Sequence, residues 1–202
     1  MRTFIPLLAL CLCACGGSPP EEPARNGSAV EEPTAAPTPT PTGSRATGMP
    51  STTDGRVSRY TSLADCQVVR SAPDEAGFFE SACPGLGGYR LKLVEADGRQ
   101  NLILVMGGRE HNLGLPSISG GGFSELGKRI EWRGREEDGS FHPDALILRY
   151  DVVENVDQPT RPTSYLLPVT LERTPCLSTK IRPGPAQNDR ARAVADAQRT
   201  CL

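Results

Sequence analysis

The chain has 202 residues, seven cysteines and a formal net charge of −2. No basic excess is available to drive counterion-release binding to nucleic acid, so that class of activity is excluded as the main one. The length predicts one packed domain with a substantial core and a sizeable remainder that belongs to something else.

The remainder comes first in the chain. Behind the single charge of Arg2, Phe4 to Ala14 is almost wholly apolar, a run too short to span a bilayer, which predicts a signal segment over residues 1–14. Its end, LCLCACGG (10–17), carries cysteines at alternate positions, a spacing unlike the C-x-x-C that lets two sulfurs meet one metal ion. Leu12-Cys13-Ala14-Cys15 resembles the bacterial lipobox, with Leu three before and a small residue one before the modified cysteine. Cys11 and Cys13 follow leucines and do not fit. The resemblance implies cleavage before Cys15 and a diacylglycerol thioether on it; the alternative is a plain secretory signal. Acyl chains bury methylenes at about 0.8 kcal/mol each, so a multi-chain anchor is permanent in practice. Gly16, standing where an inner-membrane lipoprotein would carry Asp, points by analogy to the outer membrane, with the domain on the periplasmic side.

Residues 15–55 comprise this cysteine and a tether. The stretch from Gly16 holds eight of the 19 prolines and almost no large apolar side chain, too little to offset ordering entropy, so disorder is expected. The Thr-Pro run at 38–42 favours extended polyproline backbone.

Residues 56–202 are expected to form the single globular domain. Its 19 basic and 19 acidic residues balance, and 16 of the basic ones are arginines, which suits planar pairing with carboxylates wherever a pair is buried. Cys66, Cys83, Cys176 and Cys201 remain once the first three cysteines are assigned, and an even number in an exported chain reads as two disulfides. Three pairings are open to them. Cys66–Cys83 with Cys176–Cys201 closes short loops and is the pairing expected, each loop contributing ~3 kcal/mol. A four-thiolate zinc site is disfavoured because no two of these cysteines are near neighbours.

Strands follow in order. Short candidates lie at Arg56–Leu63, Cys66–Arg70 and Gly77–Ala82. In YRLKLVEADGRQNLILVM (89–106), Asp97-Gly98 is a two-residue hairpin signal. It sets Leu93 opposite Leu102, Leu91 opposite Leu104 and Tyr89 opposite Met106 on one apolar face. Ile130 and Trp132 then alternate on a short strand, and Leu146, Leu148, Tyr150 and Val152 on another beyond a polar loop. Tyr165, Leu167, Val169 and Leu171 form a last apolar face, where Pro168 suggests an edge strand or a bulge. NDRARAVADAQRTCL (188–202) reads as a helix capped by Asn188, with Ala191, Val194, Gln198 and Cys201 on one face. The expected fold is therefore α+β: a mainly antiparallel sheet, sandwich or open barrel, of six to eight short strands, with a C-terminal helix, braced by disulfides.

CPGLGGY (83–89), EWR (131–133), ILRY (147–150) and ARAVADAQRTC (191–201) together resemble a group of uncharacterised exported proteins of proteobacteria. The resemblance covers about residues 66–201 and implies export without implying an activity.

Signals for chemistry are few. CPGLGGYR lacks the third glycine of a dinucleotide fingerprint, and GFSEL lacks the second glycine of a nucleophile elbow. His111 and His142 are the two histidines, and neither they nor the cysteines suggest a metal centre or a cofactor. The most unusual stretch is GGREHNLGLPSISGGGFSELG (107–127), with seven glycines and no strand or helix period. Long structureless loops are often functional, which makes Arg109, Glu110, His111 and Phe123 the candidate contact residues. The expectation is a lipid-anchored envelope module that binds a protein or cell-wall ligand without catalysis. The alternatives are a hydrolase-like enzyme assembled from His111, Glu110 and Ser124, and a purely structural envelope protein.

Overall fold

Three dipeptides with positive φ at both residues, Asp97-Gly98, Gly107-Gly108 and Asp138-Gly139, turn the chain back on itself in the computed structural model, which describes residues 55–172, 174–197 and 200–202. Such dipeptides form the type I′ turns whose twist matches that of the flanking strands in a two-residue hairpin. The signal segment, Cys15 and the tether lie outside the described residues, except Gly55 at the tether's end.

Ten strands form among the described residues: β1 (Val57–Ser62), β2 (Gln67–Ala72), β3 (Phe78–Cys83), β4 (Arg90–Ala96), β5 (Arg99–Met106), β6 (Arg109–Asn112), β7 (Ser124–Glu137), β8 (Ser140–Val152), β9 (Thr163–Thr170) and β10 (Cys176–Leu177). Two helices accompany them, the short α1 (Leu115–Ile118) and α2 (Gln187–Ala197). The sheet runs β10-β9-β8-β7-β5-β4-β3-β2, with β1 against β7 and β6 against β5; β10 and β2 do not pair, so it is open. One contact is parallel, Arg99 opposite Ser124, and it joins two antiparallel wings, β2–β6 and β1 with β7–β10. The expected α+β architecture is the observed one. The two strands beyond the six to eight expected are β6 and β10, too short for an alternation to register.

The two wings share one core. Leu91, Leu102 and Leu104 from the first pack with Ile130, Trp132, Leu146, Leu148, Tyr150, Tyr165, Leu167 and Val169 from the second. Trp132, fully buried, donates its indole N–H to Thr61 Oγ1 at 2.9 Å. Large apolar side chains of this kind contribute about 1.5–3 kcal/mol each on burial. The β4–β5 register is the one the Asp97-Gly98 turn demands, with Leu91 opposite Leu104 and Leu93 opposite Leu102. It stops short of Tyr89. Met106 pairs with Arg109 of β6 and is 45% exposed, whereas Tyr89 is buried before β4 begins and its ring lies 6.0 Å from Trp132.

Two further expectations need correction, and the one at Pro168 holds for the bulge but not for the edge strand. Residues 107–127 are not structureless: Gly107-Gly108 closes a β5–β6 hairpin, α1 follows, and β7 begins at Ser124. Pro168 lies within β9, an inner strand, where it pairs with Ile147. On its other side the neighbouring chain has three residues between the Leu177–Val169 and Ile181–Leu166 pairs where β9 has two, so the irregularity falls opposite the proline. Finally, α2 starts at Gln187 rather than after an Asn188 cap, and the Gln187 amide donates to Ser164 O and Ile181 O.

The disulfides are Cys66–Cys83 and Cys176–Cys201. Cys201 lies past the helix, so the second disulfide fastens the tail, with Leu202 N donating to Leu177 O. What seats α2 is different. Ala191 and Ala195 pack on Ala145, Ile147 and Leu166 of the outer sheet face, beside a network of arginines and carboxylates. Asp196 accepts from Arg56 Nε at 2.9 Å and from Arg133 Nε and Nη2 as a fork, at 2.9 and 2.5 Å. Arg56, its side chain 4% exposed, also forks onto Asp144. Asp144 is available because β8 carries an extra residue there, Gly134 facing Pro143 while Arg133 faces Ala145. The bulge needs glycine, since a Cβ at Gly134 would sit 2.1 Å from His142 O.

Burial alone would raise the Asp196 carboxyl, but hydrogen bonds and charge from Arg133 and Arg56 outweigh it and hold the group below its ordinary value. A carboxyl with a lowered folded value adds stability that is complete above the unfolded value, about pH 4, and is lost as pH falls through the folded one. Arg56→Ala should cost about 3 kcal/mol at neutral pH, the loss typical when one partner of a buried pair is removed. Thermal unfolding of the full chain should show wild type losing more stability between pH 5 and pH 2 than Asp196→Asn, which starts lower and has less to lose. Parallel acid profiles would contradict the network's role.

Candidate functional site

The contact residues expected in the 107–127 stretch do not converge. Arg109, Glu110 and His111 lie on β6, opposite Met106, Val105 and Leu104, while Phe123 packs beside Gly98 at the far end of β5. At ~3.3 Å per residue those two ends are roughly 25 Å apart. Glu110 is engaged by Lys92 Nζ at 3.1 Å, and Lys92 also reaches Glu80 at 3.0 Å. The hydrogen bonds it donates to Glu80 and then Glu110 raise the Lys92 ammonium above its ordinary value. Phe123, 52% exposed, carries the Arg99 guanidinium 5.6 Å from its ring centre.

Nor do His111, Glu110 and Ser124 form a catalytic group. His111 faces Leu104 and Ser124 faces Arg99, about 17 Å apart along the strand. Neighbours on a strand point to opposite faces, so Glu110 and His111 diverge. Ser124 is buried, its Oγ sharing a 2.7 Å hydrogen bond with Tyr150 Oη. Beside Phe123, Glu95, Gln100 and Asp151 border an acidic hollow of about 360 Å³. No group of three or more metal-ligating side chains gathers among the described residues.

A different site was built by the chain on the outer face, between β7, β8 and α2. Leu126 pairs with Tyr150 and Ile130 with Leu148, so three residues of β7, Gly127-Lys128-Arg129, stand opposite the single Arg149. Such a bulge bends the strand and re-aims its side chains. Gly127 is the residue that permits it here, because a Cβ would lie 2.7 Å from Arg149 Cβ. Lys128, Arg129, Arg149 and Arg192 of α2 therefore line one cleft of about 300 Å³, with Glu131 as its one carboxylate. Ile147, Leu166 and Ala191 provide an apolar floor, and Tyr60 and Asn188 add polar groups.

Glu131 is already taken. It accepts from Arg192 at 2.8 and 3.2 Å and from Ser58 at 2.6 Å, and its hydrogen bonds lead the effects that raise Arg192 above its ordinary value. Arg129 lies 5.3 Å over the Tyr60 ring, and Arg149 donates to Ser164 Oγ at 2.7 Å. Among the described residues, no carboxylate lies within ion-pair distance of Lys128, Arg129 or Arg149. Three cations thus converge on open space with no counter-charge. The sequence holds one signal for this, a glycine followed by two cations just before an apolar alternation, since glycine in a strand often marks a bulge.

Comparison with protein-family models, curated proteins and solved structures finds no match to this chain. No helix among the described residues is long and apolar enough to cross a membrane.

The stretch between β6 and β7 is part of the core. Leu113 and Leu115 are buried, the latter fully. Leu115→Ala should destabilise the chain by about 2–5 kcal/mol in denaturant melts. Replacing residues 109–123 by a Gly-Ser linker should prevent cooperative unfolding altogether, and a replaced chain that melts like wild type would contradict the assignment.

Proposed function

We propose that this chain is a lipid-anchored module of the bacterial envelope that binds a ligand without transforming it. The observation that carries the binding half is the cleft at the β7 bulge, where three cations without carboxylate partners surround an apolar floor. An arrangement of this kind costs stability through mutual repulsion, which a ligand of opposite charge relieves. The hydrolase alternative draws no support, because His111 and Glu110 on β6 and Ser124 on β7 stand opposite the two ends of β5.

The anchoring half rests on Leu12-Cys13-Ala14-Cys15 and on four remaining cysteines that pair fully in two disulfides, as an oxidising compartment allows. The domain then sits outside the inner membrane, held to the outer membrane by the lipid on Cys15 with residues 16–55 as the tether. Its partner is an envelope protein or a cell-wall ligand.

Growth of a bacterial host expressing the full chain with radiolabelled palmitate should yield a labelled, membrane-sedimenting protein. Cys15→Ser should abolish the label and leave an uncleaved or soluble form. Label retained by that variant would overturn the anchor assignment.

A further inference from the structure

We propose that the cleft between the β7 bulge and α2 is a binding site for a phosphate monoester. This deepens the binding-module reading and rests on it. Phosphate monoesters are dianionic near neutral pH and present three oxygens, which asks for at least two cationic forks. Arg129 and Arg149 each bring a planar guanidinium, and Lys128 adds a point charge. Guanidinium forks match phosphate oxygens two at a time, an advantage that ammonium groups lack. Tyr60 Oη and the Asn188 side chain add donors at the rim, and Asn188 lies in the first turn of the eleven-residue α2. That end of a helix favours negative charge through its free N–H groups.

The rest of the cleft defines what the phosphate is attached to. About 300 Å³ is at the small end of ligand sites, enough for a sugar-sized group. Ile147, Leu166 and Ala191 at the floor would cover the apolar face of such a ring. The same headgroup chemistry occurs in phosphatidic acid at a bilayer surface, and a chain tethered to a membrane meets both sources.

The test titrates the full chain, at physiological ionic strength, with three probes: glucose 6-phosphate, vesicles of phosphatidylcholine doped with phosphatidic acid, and glucuronate. Heteronuclear NMR follows the Arg Nε–Hε signals and the Gly127 amide. Saturable shifts confined to Arg129, Arg149 and Gly127 with glucose 6-phosphate identify a soluble phosphomonoester as the source. The same shifts or broadening with the doped vesicles alone identify the lipid headgroup, and either result supports the site. Arg149→Gln should weaken binding at least tenfold, Arg149→Lys should recover part of it, and the exposed Lys128→Gln should weaken it severalfold without lowering the melting temperature. Shifts spread over arginines outside the cleft, unchanged affinity in Arg149→Gln and Lys128→Gln, or glucuronate binding as tightly as the phosphate would overturn the proposal. Glucose 6-phosphate recovered as glucose and phosphate would leave the site standing and overturn the non-enzymatic reading instead.

Discussion

Asp196 holds the outer layer of this protein in place. Its two oxygens receive Arg56, the residue just ahead of β1, and Arg133, from within β7. One carboxylate on α2 thus fixes the chain entering β1, the long strand β7 and the helix itself. The apolar seat of α2 is thin, made mainly of Ala191 and Ala195 with Val194 beside them, and alanines bury little area. Helix docking therefore depends on charge pairing to an unusual degree. A pair so placed is costly to break from one side, because the remaining charge stays buried without a partner.

That dependence also creates the cleft. Seating α2 draws Asp196 toward Arg56 and Arg133, and Glu131 toward Arg192 and Ser58. Both carboxylates thus spend their charge in the helix–sheet joint, and Glu131 is the one that also borders the cleft. The β7 bulge delivers Lys128 and Arg129 to the other side, opposite Arg149. A face that is neutral by composition becomes positive by geometry. The balance of 19 basic and 19 acidic residues in the domain hides it entirely.

How much of this was legible in the sequence follows from the range of each signal. Asp97-Gly98 with flanking alternation specified a register correct to the residue at Leu91–Leu104 and Leu93–Leu102, because a two-residue turn leaves no freedom. The same dipeptide at Asp138-Gly139 reads as a polar loop, since Arg133 to Glu137 ahead of it has no apolar side chain to alternate; it nonetheless joins the two longest strands. Gly107-Gly108 was obscured likewise, as Arg109-Glu110-His111-Asn112 has no apolar face to alternate. Short loop length chose the right disulfide pairing, and arginine richness correctly anticipated forked ion pairs. The cleft was not legible. Its residues come from β1, β7, β8, β9 and α2, and only the bulge brings Lys128 and Arg129 opposite Arg149.

A helix held by charge at one end of the chain and roofing a charged cleft makes a specific demand on dynamics. Local openings cost the free energy of the contacts they break, so α2 should release as a unit when its ion pairs are lost, while the shared core of both wings stays closed. Hydrogen–deuterium exchange of the full Asp196→Asn chain, resolved by peptide, measures this directly. Exchange across Gln187–Ala197 should be strongly faster, with β8 and β9 core amides retaining their protection relative to wild type. Unchanged protection over α2 in that variant would contradict the claim that the arginine–carboxylate network, rather than alanine packing or the Cys176–Cys201 bridge, holds the helix on the sheet.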